Sequence, residues 1–327
     1  MMMAEATSRL SRFHKRKNTV ETCFFVESGE DAAFGPGSDR SLLSAPRADV
    51  SESARFSPVH TSTNQSSATQ TVKLQTLKIL VQRCTRANFG PARRAVQVTS
   101  VLTAQRARFI DRFIELLDVF QHSEATLFRA VQIVDRFALC IDRTLDKRTF
   151  QLTGIAALRL AAKLEETRPT KLNAFLENSV KKKFTKTEIL QWELEILRVT
   201  DFTLSAPTEL DLLFAATEVL ELCEEGLRQA AARMARLSLF CLDLRDEFST
   251  VEIAAFSLIY ALRALGERPD KPPFEARAQE IILAFALEGH GLLAKLERFF
   301  MCIGKLRAKY ASSANISSVS LDNKSAN

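Results

Sequence analysis

Glu193 lies in a helical pattern with Ile189, Leu190, Ile196 and Leu197 as its neighbours three and four positions away. A carboxylate in that surround is costly to bury unless a cation or hydrogen-bond donors meet it. Spacing alone leaves two accounts open: an internal pair with a lysine or with backbone N–H groups, or a charged contact offered to a partner. Lys163 is the other charge set against apolar residues. It stands near the end of the run FQLTGIAALRLAAKLEE, Phe150 to Glu166, whose apolar residues cover all of a helix except a narrow stripe of Arg159, Lys163 and Glu166. Such groups bind rather than turn over a substrate. The four histidines (His14, His60, His122, His290) lie apart, and no glycine-rich phosphate loop, nucleophile elbow or paired metal-ligand motif is present. The chain therefore reads as a binding protein, not an enzyme, with no cofactor and no metal.

A helix as apolar as Phe150 to Glu166 has to be surrounded, and its alanines let neighbouring helices approach closely. It belongs at the centre of an α-bundle, with Lys163 emerging at the end of the buried rod. Five helices are expected before Pro207: Thr103 to Gln121, Ser123 to Ile141, Lys147 to Glu166, Thr170 to Val180 and Thr185 to Val199. Ser123 is placed to cap the second, and Thr185 with Glu188 forms a capping box on the fifth. A second set follows at Pro207 to Leu220, Glu224 to Leu242, Ser249 to Leu265, Phe274 to Leu287 and His290 to Lys309, with another capping box at Ser249 and Glu252. The fold class is thus all-α, two tandem five-helix bundles joined near Leu204 to Pro207. The divisions are an N-terminal helix over 72–90, a first bundle over 98–206 and a second over 207–310.

Outside these elements, residues 1–71 are rich in Ser, Thr, Ala and charge, with Gly35, Pro36, Gly37, Pro46 and Pro58 breaking any periodicity, so they are expected to be disordered. The tail 311–327 is read the same way. His14 to Lys17 has the composition of a nuclear import signal, Arg40 to Leu43 the RxxL spacing of a degradation motif, and Ser57-Pro58 is a minimal proline-directed phosphosite. All three patterns are frequent by chance, and a solvated linker is the commoner outcome. The net charge of +6 resides largely in two short runs, Lys15 to Lys17 and Lys181 to Lys183, which is too mild to argue for nucleic acid. Six scattered cysteines without a CxxC fit reduced thiols in the cytoplasm or nucleus. No apolar run approaches bilayer-spanning length, so no membrane partner is expected.

Several of these residues also carry a family resemblance. Ile133-Val134-Asp135-Arg136-Phe137, Ala161 to Glu166, Phe184-Thr185-Lys186 leading to Trp192-Glu193, Thr200 to Leu204, and Pro207-Thr208 with Phe214 resemble the cyclin box of A- and B-type cyclins in order and near spacing. The match is specific over Gln105 to Phe214 and weaker over Arg233 to Leu265. It implies two cyclin folds and a regulatory subunit of a cyclin-dependent protein kinase, in the nucleus and cytoplasm and concerned with mitotic control. The same architecture also serves transcription-factor-like binding modules, which remains the alternative.

The resemblance also implies sites. Residues matching Lys163 and Glu193 grip backbone groups of the kinase, with Leu164, Glu165, Glu166, Leu197, Phe202 and Leu204 around them. For Leu197, Phe202 and Leu204 taken singly, plain core packing is the favoured account. Arg106 and Asp135 match an internal salt bridge between the first two helices. The family's substrate-docking motif, Met-Arg-x-Ile-Leu-x-x-Trp with a Gln opening the third helix, corresponds here to Gln105, Arg106, Arg108, Phe109 and Arg112, with Gln151 kept. Three apolar members are replaced by polar or cationic ones, so an apolar RxL groove is not expected. Two arginine forks could instead attract acidic segments of substrates or inhibitors.

Overall fold

The computed structural model describes residues 62–86, 100–141, 145–179, 183–266, 273–289 and 291–310. In chain order the helices are α1 (Ser62–Arg86), α2 (Ser100–Phe120), α3 (Glu124–Cys140), α4 (Lys147–Glu165), α5 (Leu172–Ser179) and α6 (Lys186–Val199). They continue as α7 (Glu209–Val219), α8 (Glu225–Leu239), α9 (Leu242–Glu247), α10 (Thr250–Leu265), α11 (Phe274–Ala284) and α12 (Leu292–Tyr310). Among the described residues all regular structure is helical, as the periodicity required.

The apolar run becomes α4, buried from Leu152 to Leu158 and again from Leu160 to Ala162. Its N-cap is Asp146, whose side chain accepts from the Thr149 N–H at 3.2 Å. Helix α3 packs along α4, and α6 lies against it on another side. Gly154 permits the approach of α2: a Cβ there would stand 3.0 Å from the Phe109 ring. The Trp192 indole N–H donates to Thr153 Oγ1 at 2.8 Å, so the buried hydroxyl of α4 also fixes the rotation of α6. In the second bundle α10 is the buried member, packed chiefly on α8. Phe248, Phe256 and Phe299 meet edge to face there, with centroids 5.6 to 6.0 Å apart.

Capping boxes begin α6 (Thr185, Glu188) and α10 (Ser249, Glu252), and a third, Thr208 with Asp211, begins α7. Three boundaries differ from the sequence expectation. Helix α1 starts at Ser62 rather than Val72, so part of the stretch read as disordered is helical; Gln70, within it, donates its side-chain amide to the Val219 carbonyl. The polar first turns of α1 lack an apolar period of their own, and the helix as a whole packs on α7. The second bundle also contains α9, a short sixth helix in the stretch between Leu242 and Ser249 that the sequence reading left as a connection. Finally, Ser123 makes no side-chain cap to α3. The remainder of the expected N-terminal tail, the expected tail 311–327, and most of the Asp142 to Asp146 loop lie outside the described residues.

Buried ions seam the two bundles together. Arg106 forks onto both Asp135 oxygens at 2.8 Å and also donates to the Leu239 carbonyl. Asp135 is shared with Arg245 at 3.4 Å, and Arg245 reaches Glu209 at 2.8 Å. Arg129 is a second hub. Its guanidinium donates to Glu165 at 2.6 Å, Gln132 at 2.8 Å, Asp211 at 3.4 Å and the carbonyls of Leu204 and Ala206. A buried planar fork with five donors can satisfy a linker backbone that has left regular structure, which an ammonium could not.

Candidate functional site

Arg159 and Lys163 are one helical turn apart on α4 and share the face turned toward α6. Glu193 comes from α6 between them. Its Oε1 accepts from Arg159 at 2.9 Å and its Oε2 from Lys163 at 2.7 Å. The carboxylate is 6% exposed whereas the Lys163 side chain is 40% exposed. The pair therefore meets at the end of α4 as expected, but only its cation reaches solvent. The expectation that both charges stay accessible is corrected for Glu193. Its neighbours Ile189 and Ile196 are fully buried, and two cations are needed to hold it there. Lys163 in the last turn of α4 also meets the negative end of that helix dipole.

Large apolar side chains next to Lys163 in sequence, and on and just beyond the helix that carries Glu193, are exposed. Leu164 is 50% exposed, Leu190 and Leu194 are 41% exposed on successive turns of α6, and Phe202 is 66% exposed. Phe202 overturns the core-packing account given for it singly. Asp201 and Phe202 both take left-handed backbone, φ 50° and 53°, while Phe202 N–H donates to the Leu197 carbonyl at 2.8 Å. That conformation costs a bulky L-residue about 1–2 kcal/mol, here in exchange for closing the C-terminus of α6 and turning an aromatic ring to solvent. Leu204 is buried and Leu197 half-buried, so core packing stands for Leu204. Leu190, first read only as part of the apolar surround of Glu193, and Leu194 are exposed members of this face that the sequence reading did not assign to it.

Glu165 and Glu166 have internal work. Glu165 pairs with Arg129. Glu166 accepts from Ser123 N–H at 2.7 Å, from Ser123 Oγ at 2.9 Å and from Thr126 Oγ1, so it caps α3 in place of the Ser123 side chain. Burial would raise its pKa, but these donors outweigh it and hold the carboxyl below its ordinary value.

On α2 the residues of the docking motif are already engaged. Phe109 packs on Phe150 at 4.8 Å, Arg112 pairs with Glu115 at 2.6 Å, and Gln151 accepts from Lys183. Arg108 is exposed, and the Gln105 side chain lies outside the described residues. Among the described residues no group of three or more His, Cys, Asp or Glu could hold a metal ion, and no helix is long and apolar enough to cross a membrane.

Comparison with known proteins places this geometry. Residues 82–205 match the family described as cyclin, N-terminal domain. The G2/mitotic-specific cyclin-B1 of Oryzias luzonensis is 31% identical over 160 residues, 49% of this chain and 39% of that protein. Residues 82–205 of this chain are thus a cyclin N-terminal domain. Cyclin-A1 of Carassius auratus is also 31% identical, over 156 residues covering 48% of this chain and 36% of the relative. The chain thus spans about two fifths of the length of the curated cyclins it matches. The crystal structure of a viral cyclin from herpesvirus saimiri aligns with a TM-score of 0.52 at 18% identity, over 67% of this chain and 89% of that one, which shows a shared cyclin fold. Cyclins are regulatory subunits, not enzymes. The cyclin-family match ends at residue 205, where the Leu204 and Ala206 carbonyls are held by Arg129, and it reaches back to residue 82 in α1.

Proposed function

We propose that this chain binds and activates a cyclin-dependent serine/threonine protein kinase through a surface centred on Lys163. The observation that carries the reading is the half-exposed Lys163 ammonium, oriented by a buried carboxylate, together with the exposed apolar side chains Leu164 on α4, Leu190 and Leu194 on α6, and Phe202 just beyond it. An ammonium has three donors; Glu193 takes one, and the others can serve partner carbonyls. The apolar residues supply area that becomes favourable only when covered. In this reading Glu193 is a positioning residue, while Glu165 and Glu166 shape the surface through Arg129 and α3 rather than reaching for the partner.

The names of the relatives support a role in cell-cycle control, and a mitotic one is the finer proposal. Residence in nucleus and cytoplasm goes with it. We further propose that α2 does not recruit uncharged RxL peptides, since Arg108 and Arg112 interrupt any apolar groove. The Arg112–Glu115 pair also weakens the expectation of acidic ligands there.

The test is affinity capture of the whole chain from dividing cells, with the bound kinase identified by mass spectrometry and assayed for activity. Lys163→Ala and Phe202→Ala should each weaken kinase binding by about 2–5 kcal/mol, the range for truncating an interface anchor. Capture of no kinase would overturn the function, and wild-type binding by both variants would overturn the surface.

A further inference from the structure

Arg159 decides the charge that Lys163 offers to a partner. It lies one turn before Lys163 on α4, its side chain is only 13% exposed, and it donates to Glu193 Oε1 at 2.9 Å. Its Nε is buried without a hydrogen-bond partner, which leaves the Glu193 carboxylate as its counter-ion. Lys163 takes the other oxygen of the same carboxylate at 2.7 Å. Two cations thus share one anion, and the three groups together keep one positive charge. A guanidinium holds its charge at any physiological pH, so the buried Arg159 claims the carboxylate and the excess falls on the ammonium that reaches solvent. The carboxylates that follow Lys163 do not offset it: Glu165 is paired with Arg129, and Glu166 accepts three hydrogen bonds at the start of α3. The C-terminal end of α4 supplies about half a negative charge, which offsets the excess only in part.

Solvent stabilises this excess in the free chain, and a partner that covers the ammonium removes that solvent. Carbonyls would satisfy the remaining N–H donors but would leave the charge, and burying an uncompensated charge is costly. We propose that the kinase bound by this chain presents an aspartate or glutamate side chain to Lys163, and that Arg159 is the specificity-determining residue that makes this anion necessary. The inference rests on the kinase-binding reading above and adds the chemistry of the contact. A Glu193 with a single cation would neutralise Lys163 and keep an oxygen for a partner N–H; held by two cations and 6% exposed, it does neither. One carboxylate matches the single charge in excess, whereas a phosphoryl dianion would overcompensate it. The same arrangement works against a wrong partner, since a lysine or arginine placed opposite Lys163 finds no carboxylate left to share.

The experiment uses the full chain and the kinase identified by capture, produced recombinantly. A water-soluble carbodiimide joins an amine to a carboxylate when the two are in contact, and peptide mass spectrometry of the treated complex should find Lys163 joined to an aspartate or glutamate of the kinase. Arg159→Met keeps length and bulk but removes the charge. Raising salt from low to physiological ionic strength should slow association of the wild-type chain by about threefold more than it slows Arg159→Met. Arg159→Lys returns the charge and should return most of that salt dependence, which a purely structural role of Arg159 would not produce. Identical salt curves for wild type and Arg159→Met overturn the assignment to Arg159. A kinase complex in which Lys163 joins only Glu193 overturns the partner carboxylate and leaves the kinase-binding reading intact. Capture of no kinase by the wild-type chain overturns that reading and this inference with it. Should Arg159→Met fail to fold, the cross-linked peptide of the wild-type complex still decides.

Discussion

The Lys163 ammonium sits 2.7 Å from the Glu193 carboxylate, yet one partner is solvated and the other is not. That asymmetry separates their roles. Glu193→Ala would leave Arg159, only 13% exposed, facing its partner's vacated place. Loss of about 3–5 kcal/mol of stability is expected from breaking such a buried pair. Lys163→Ala removes a group more than a third exposed and should cost no more than about 1 kcal/mol, because solvent screens it. Chemical denaturation of the two variants beside wild type checks this; equal losses would show that the two charges form one structural unit.

Arg106→Ala should destabilise the chain by about 3–5 kcal/mol, since it removes the fork that meets both Asp135 oxygens and frees the Leu239 carbonyl. Arg106→Lys keeps the charge but not the fork, and should recover only part of the loss. Urea unfolding midpoints provide the comparison, and a neutral effect of Arg106→Ala would remove this seam from the account of bundle docking.

Acid should open the cap of α6. The Glu188 carboxyl is held down to about 2, first by the Thr185 backbone N–H and then by hydrogen bonds from Arg148 and the Thr185 hydroxyl. Its folded value lies below its unfolded one, so its stabilisation is complete above about pH 4.5 and is lost as pH falls toward 2. Stability curves of wild type and Glu188→Gln should therefore differ at neutral pH and converge in that acid window. A gap independent of pH would assign the effect to shape rather than charge.

The thiols should react in an order set by burial. Burial, then the charges of Glu209 and Asp211, push Cys84 up to about 12, whereas Cys140 and Cys223 are exposed. Mass-resolved alkylation of the native chain at pH 8 should label Cys140 and Cys223 while sparing Cys84. Early labelling of Cys84 would mean that α1 leaves α7 readily.

Much of the fold was legible because its signals are local. The alanine-rich circumference of α4, the Thr185–Glu188 and Ser249–Glu252 boxes and the 3.6-residue apolar period each require only a few neighbouring residues. The Thr208–Asp211 box has the same local form and was obscured by the proline before it. The start of α1 was not legible, since its first turns are polar and carry no apolar period. Arg129 lay in plain view within an apolar helix, and that isolation was the available signal for a buried hub; its partners come from four separate segments.

The amino-acid sequence by itself determined two helical bundles, the burial of α4 and the presence of a cation and a carboxylate that need partners, because periodicity and capping act over one or two turns. Tertiary structure alone decided that Glu193 faces Arg159 as well as Lys163, that Glu166 caps a helix some forty residues upstream, and that Phe202 points outward. Each of these depends on where two distant helices cross and which face each turns, and the free energy of burying or pairing a charge is settled only at that crossing.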